Sequence, residues 1–129
     1  MSFSNLQRYP FKMNIHEFIC YSAEKAVAKI SFSANDYCCN YGNISPSYLI
    51  ECMGQIVEKC LCSQGGTKKR YLVGIDKFSI DIDFHKFIGQ SLDITAKQDI
   101  KMGRISRYSV EISCEGIKVC NCLITHCEK

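Results

Sequence analysis

The residues of this chain best suited to moving protons lie in one short segment. Glu51, Gln55, Glu58 and Cys62 follow one another at intervals of four, three and four, which stacks them along one side of a helix. A carboxyl with a carboxamide one turn away is a general acid or base beside a group that orients it or its substrate. The same spacing describes a solvated polar stripe, and periodicity alone selects that plainer reading. A carboxyl on the stripe acquires chemistry only if something covers it, such as a second subunit or a ligand tunnel.

The other reactive residues are less promising. The three histidines are scattered: His16 falls in a strand pattern, His85 follows Phe84 at a strand end, and His126 lies close to Lys129. A lone histidine is more often hydrogen-bonded or exposed than catalytic. The ten cysteines include the pairs Cys60/Cys62 and Cys120/Cys122, each spaced C-x-C, and no C-x-x-C pair. Zinc-site spacing is therefore missing. With no signal peptide at the start, the thiols are expected to be structural, small apolar fillers in a reducing compartment.

Composition bounds the rest. A chain of 129 residues with 47% hydrophobic and 22% charged residues is one ordinary globular domain, spanning residues 1–129. The net charge of +3 allows an acidic partner but is too small for a nucleic-acid-binding domain. No apolar run approaches the ~18 residues of a membrane span. A soluble, cytoplasmic protein is expected.

The elements that must position the stripe are legible from period and punctuation. PSYLIECMGQIVEKCLCSQGG reads as the one long helix, with Ser45 as N-cap, Pro46 in the first helical position and Gly65 or Gly66 ending it. Its apolar arc is centred on Leu49, Met53, Ile56, Val57 and Cys60, opposite Glu51. Before it, HEFICY and KAVAKISFSA are two strands joined by Ser22-Ala23-Glu24, with Ala26, Ala28, Ile30, Phe32 and Ala34 on one face. A polar, irregular stretch follows from Asn35 to Asn43. After the helix, DKFSIDIDF, QSLDITAKQDI, RISRYSVEISC and IKVCNCLITH alternate at period two, the last two turning at Glu115-Gly116. An α+β domain is expected, one long helix against a curved antiparallel sheet of about five to six strands.

Several segments in this order resemble the hotdog-fold (3R)-hydroxyacyl-carrier-protein dehydratases of fatty acid synthesis. Arg8-Tyr9-Pro10-Phe11 matches that family's R-Y-P-F, and Leu49-Ile50-Glu51-Cys52-Met53-Gly54-Gln55 is similar to its helix pattern ending in E-A-M-A-Q. Val73-Gly74-Ile75-Asp76-Lys77 resembles A-G-I-D-K, and Phe87-Ile88-Gly89-Gln90-Ser91-Leu92 resembles the turn P-G-D-x-L. The family's G-H-F-P histidine has no counterpart in Tyr37-Cys38-Cys39-Asn40-Tyr41-Gly42-Asn43-Ile44-Ser45-Pro46. That shortened loop is closer to a divergent branch associated with polyketide and aryl-polyene synthesis. Pro46 also stands one residue nearer Glu51 than in that branch.

The resemblance implies dehydration of β-hydroxyacyl thioesters to trans-2-enoyl thioesters, without cofactor or metal. Such chemistry needs a base for the C2 proton, an acid for the departing hydroxyl, and donors for the thioester oxygen as it gains charge. It makes Glu51 the acid and Gln55 its orienting neighbour. The N–H of Ser47 or Tyr48 becomes the carbonyl donor at the helix start, and Tyr41 and Gly42 line the substrate from the loop. Lys68, Lys69 and Arg70, extended by Lys97, Lys101, Arg104 and Arg107, would attract an acidic acyl carrier protein. The resemblance also implies a dimer, with sheets paired edge to edge and the acyl tunnel at the subunit interface. The absent histidine keeps two alternatives open: an acyl-binding or half-site subunit that pairs with a His-bearing partner, and an acyl thioesterase that uses the carboxylate to activate water.

Overall fold

The period-two segments and the one helical segment are realised as expected in type and order. The computed structural model of the chain describes residues 15–33, 39–40, 43–63, 70–81 and 84–128. In order these are β1 (Ile15–Tyr21), β2 (Lys25–Ile30), β3 (Cys39–Asn40), β4 (Asn43–Ile44), helix α1 (Pro46–Ser63), β5 (Arg70–Ile80), a 3₁₀ turn (Phe84–Phe87), β6 (Leu92–Met102), β7 (Ile105–Cys114) and β8 (Ile117–Glu128). Six strands form one antiparallel sheet in the order β1-β2-β6-β7-β8-β5, and among the described residues β3 pairs with β4 alone.

The sheet is apolar on one side. Ala28, Ile94, Ile112 and Cys120 occupy one register line across β2, β6, β7 and β8, and Ala26, Ala96, Val110 and Cys122 occupy the next, all buried. Residues between them, such as Lys29, Thr95, Ser109 and Asn121, face the other side, as in an antiparallel sheet with one solvated face. α1 lies across the apolar face, packed on β2 and β6, where the alanines leave room for its side chains. Met53 is fully buried there, its Sδ 3.6 Å from the Cys122 thiol.

Turn chemistry fixes the register. Glu115 and Gly116 have φ of 50° and 82° between the paired Cys114 and Ile117, the left-handed pair of a two-residue hairpin. The β1–β2 turn is held by Ser22 Oγ, which accepts from the N–H groups of Glu24 and Lys25 at 3.2 Å each. Tyr108, buried under α1, donates its hydroxyl to the Ala23 carbonyl at 2.6 Å and so satisfies its polar end.

Three expectations about element limits need correction. The strand read through Ala34 ends at Ile30. Phe32 stays buried beyond it because its carbonyl accepts from Gly89 N–H at 2.7 Å and its ring meets Tyr48 edge-on at 6.1 Å; Ala34 lies outside the described residues. The strand read as DKFSIDIDF starts earlier, at Arg70, and stops at Ile80. A bulge between Asp76 and Ser79, with Lys77 at φ 52°, breaks its alternation, and Phe84 belongs to the 3₁₀ turn. The stretch read as irregular contains the short β3–β4 pairing.

Candidate active site

The start of α1 follows from its capping residues. The Ser45 carbonyl accepts from Tyr48 N–H at 3.0 Å and from Leu49 N–H at 3.2 Å, which makes Ser45 the cap and Pro46 the first helical residue. Of the two proposed carbonyl donors, Tyr48 is buried and its N–H is spent inside the helix. The Ser47 N–H has no acceptor among the described residues, and Ser47 is exposed. Pro46 has no N–H to offer. A single backbone donor is therefore presented at the helix start.

Glu51 follows one turn later on the outer side of α1, exposed in the single chain and without a hydrogen-bond or ion-pair partner among the described residues. Gln55, a further turn on, is half-buried, and its Oε1 is fully shielded with no hydrogen bond. Gly54 sits beside them: a Cβ built there meets nothing within 4 Å, so the helix surface is open at that point. Ser47, Glu51 and Gln55 thus form one line, a donor, a carboxyl and a carboxamide spaced by about 6 Å each at 1.5 Å per residue. Glu58 and Cys62 continue that line, the thiol 3.5 Å from Glu58 Oε1. The helical period forecast this stripe; the thiol–carboxyl contact needed the rotamers.

None of the histidines joins this line. His16 is exposed on β1 and contacts Ser31 Oγ. His126 pairs in register with Ser106 and Leu72, near the β6–β7 hairpin and away from Ser47. His85 is exposed in the 3₁₀ turn, which packs against β4, the strand that leads into α1.

Two residues of the expected basic patch are ion-paired. Arg107 is held by Asp99, its Nε and Nη2 at 2.8 Å and 2.5 Å from Oδ2, and Lys101 Nζ lies 3.7 Å from Glu128 Oε1. Lys97 and Arg104 remain exposed. Arg70 opens β5 opposite Glu128. Lys68 and Lys69, like Arg8-Tyr9-Pro10-Phe11, Tyr41, Gly42, Gly65 and Gly66, lie outside the described residues.

Five of the described cysteines are fillers rather than nucleophiles. Cys52, Cys60, Cys114, Cys120 and Cys122 are free and buried. Burial, with the Glu24 charge adding to it, pushes the Cys60 thiol up to about 12. Burial and the Cys122 neighbour push Cys120 to about 12, and burial alone takes Cys122 to about 11. Such thiols stay protonated at neutral pH and cannot attack or ligate a metal as thiolates.

The architecture has well-matched counterparts among solved structures. The dehydratase heterocomplex ApeI:P from Xenorhabdus doucetiae superposes with a TM-score of 0.72 at 15% identity, over 96% of this chain and 87% of the other. A hypothetical thioesterase solved with coenzyme A from Streptococcus pneumoniae TIGR4 gives 0.71 at 19% identity, over 88% and 84%. AziG from S. sahachiroi gives 0.71 at 14% identity, over 87% and 89%. These are hotdog-fold proteins, and the six-stranded antiparallel sheet with its single long helix is that fold. Neither a protein-family model nor a curated protein sequence matches the chain.

Proposed function

We propose that this protein is a dehydratase-like hotdog subunit acting on β-hydroxyacyl thioesters, in fatty acid or polyketide-type synthesis, with an acyl carrier protein delivering the substrate. The observation that carries the reading is the line Ser47 N–H, Glu51, Gln55 on the uncovered face of α1. The thioester oxygen sits at Ser47 N–H, where an accumulating negative charge is favoured by an unspent backbone donor and the helix N-terminus. Glu51 protonates the departing hydroxyl, which leaves as water. As the hydroxyl departs, the C2 proton passes to the other oxygen of the same carboxyl, so that one group ends protonated as it began, or to a base from a partner chain.

A dimer supplies the cover that Glu51 lacks in the single chain. β5 is the edge that invites it: Tyr71, Leu72 and Val73 are 51%, 56% and 62% exposed on the unpaired side of the sheet. Edge strands of this apolar character are normally paired or hidden.

The test is Glu51→Gln in a crotonyl-thioester hydration assay. Loss of at least about a hundredfold in turnover, with an unchanged dimer and circular dichroism spectrum, is expected for removal of a general acid. Retained turnover removes Glu51 from the mechanism.

One observation favours a second reading. No histidine stands on the Glu51 line, and the ApeI:P structure is named as a dehydratase heterocomplex. A half-site subunit that borrows its base from a His-bearing partner gives little hydration alone and gains it on mixing with that partner. Native mass spectrometry of the mixture reads the heterodimer, and full activity of the homodimer refutes this version. Release of free acid without enoyl product would mark the thioesterase alternative.

A further inference from the structure

α1 carries a second acidic side chain in line with the first. Glu58 stands seven residues beyond Glu51, roughly 20° around the helix and about 10 Å further along its axis. It is half-buried already in the single chain, and its Oε1 accepts a hydrogen bond from Cys62 Sγ at 3.5 Å. That thiol is its only hydrogen-bond or ion-pair partner among the described residues. The adjacent cation is turned elsewhere: Lys59 Nζ lies 4.3 Å from the Tyr21 ring centroid and 5.2 Å from that of Phe18. Glu58 is thus held on the outer stripe by its own helix rather than drawn off toward β1.

The stripe between the two carboxyls is polar or bare. Gln55 Oε1 is shielded and unpaired, and Gly54 contributes no side chain. With the thioester oxygen at Ser47 and the reacting carbons at Glu51, the direction of the bound chain is set. Its remaining carbons advance toward the C-terminal end of α1, past Gln55 and onto Glu58. An alkyl tail reaching that far strips water from a carboxyl and returns no hydrogen bond, which is unfavourable whichever form the carboxyl is in.

We infer that Glu58 closes the acyl channel about 10 Å beyond Glu51, which admits short and medium β-hydroxyacyl thioesters and excludes long alkyl tails, those of about twelve carbons or more. The inference rests on the thioester reading above and names its substrate class. Its test compares crotonyl-, octenoyl- and dodecenoyl-coenzyme A hydration by the native protein, Glu58→Ala and Glu58→Gln. Calorimetric binding of butyryl- and dodecanoyl-coenzyme A to the same three proteins supplies a readout that needs no turnover. The native protein is expected to favour the crotonyl and octenoyl thioesters over the dodecenoyl thioester by at least about tenfold in kcat/KM or, if the subunit is a half-site, the butyryl over the dodecanoyl thioester in affinity. Glu58→Ala is expected to shift that ratio at least about tenfold toward the long thioester, with Glu58→Gln shifting it less. A native protein indifferent to chain length, or a ratio unmoved in Glu58→Ala, overturns the inference and leaves Glu51 in place. If no thioester is bound or turned over by any of the three, the thioester reading fails and this inference with it.

Discussion

At the scale of single residues, the buried thiols and the exposed stripe make opposite demands on the same helix. Cys60 faces the sheet and is pushed up to about 12, while Cys62, half-buried on the outer side, hydrogen-bonds Glu58. The folded chain keeps the protons of Cys60, Cys120 and Cys122 above pH 9, where the unfolded chain, with thiols near 9.0, releases them. The native state then binds more protons than the unfolded state, so stability is unaffected by these groups below pH 9 and falls progressively as pH rises from 9 toward 12. Urea titrations at pH 7, 8 and 10.5 check this, with the midpoint nearly steady over the first step and lower at the last. An alkylating agent at pH 8 should label Cys62 in the native protein and spare Cys60, Cys120 and Cys122 until the chain unfolds. The position of Glu51, Gln55, Glu58 and Cys62 on one face was legible from helical period alone. The choice between Ser47 and Tyr48 as donor was not, because it depends on which N–H the Ser45 carbonyl takes.

At the scale of elements, the sequence spoke clearly where one physical signal dominated. The helix limits at its start followed from Ser45 and Pro46, and the β7–β8 hairpin from Glu115-Gly116, since caps and tight turns depend on few residues. It spoke less clearly where tertiary contacts competed with period. Asp81, Asp83 and their apolar neighbours continue the alternation of β5, yet the strand stops at Ile80, and Asp81 N–H makes one last bond to the Val119 carbonyl of β8 at 2.8 Å. Phe32 likewise stays in the core after its backbone has left the ladder. The Glu115 turn also yields a prediction. A glutamate at φ 50° carries the steric cost of a left-handed residue, which asparagine bears more easily. Glu115→Asn is expected to stabilise the domain by about 0.5–1 kcal/mol, read as a higher urea midpoint at unchanged slope.

At the scale of the whole molecule, the described residues leave two surfaces uncovered, the outer face of α1 and the outer edge of β5. In the proposed dimer one event covers both, because pairing two β5 strands extends the sheet and brings the neighbouring subunit beside each Glu51. The other edge suits this less well. β1 is seven residues long, and Lys59 already packs over its Phe18 and Tyr21 rings. β5 is eleven residues long and presents three consecutive exposed apolar side chains, Tyr71, Leu72 and Val73. A lysine at the edge is a common natural block to strand pairing, so Val73→Lys is expected to give a folded monomer by light scattering. The same substitution is expected to abolish thioester hydration without touching Ser47, Glu51 or Gln55, since Glu51 then returns to bulk water. A dimeric Val73→Lys protein would place the interface elsewhere, and a monomeric, fully active one would show that α1 needs no roof.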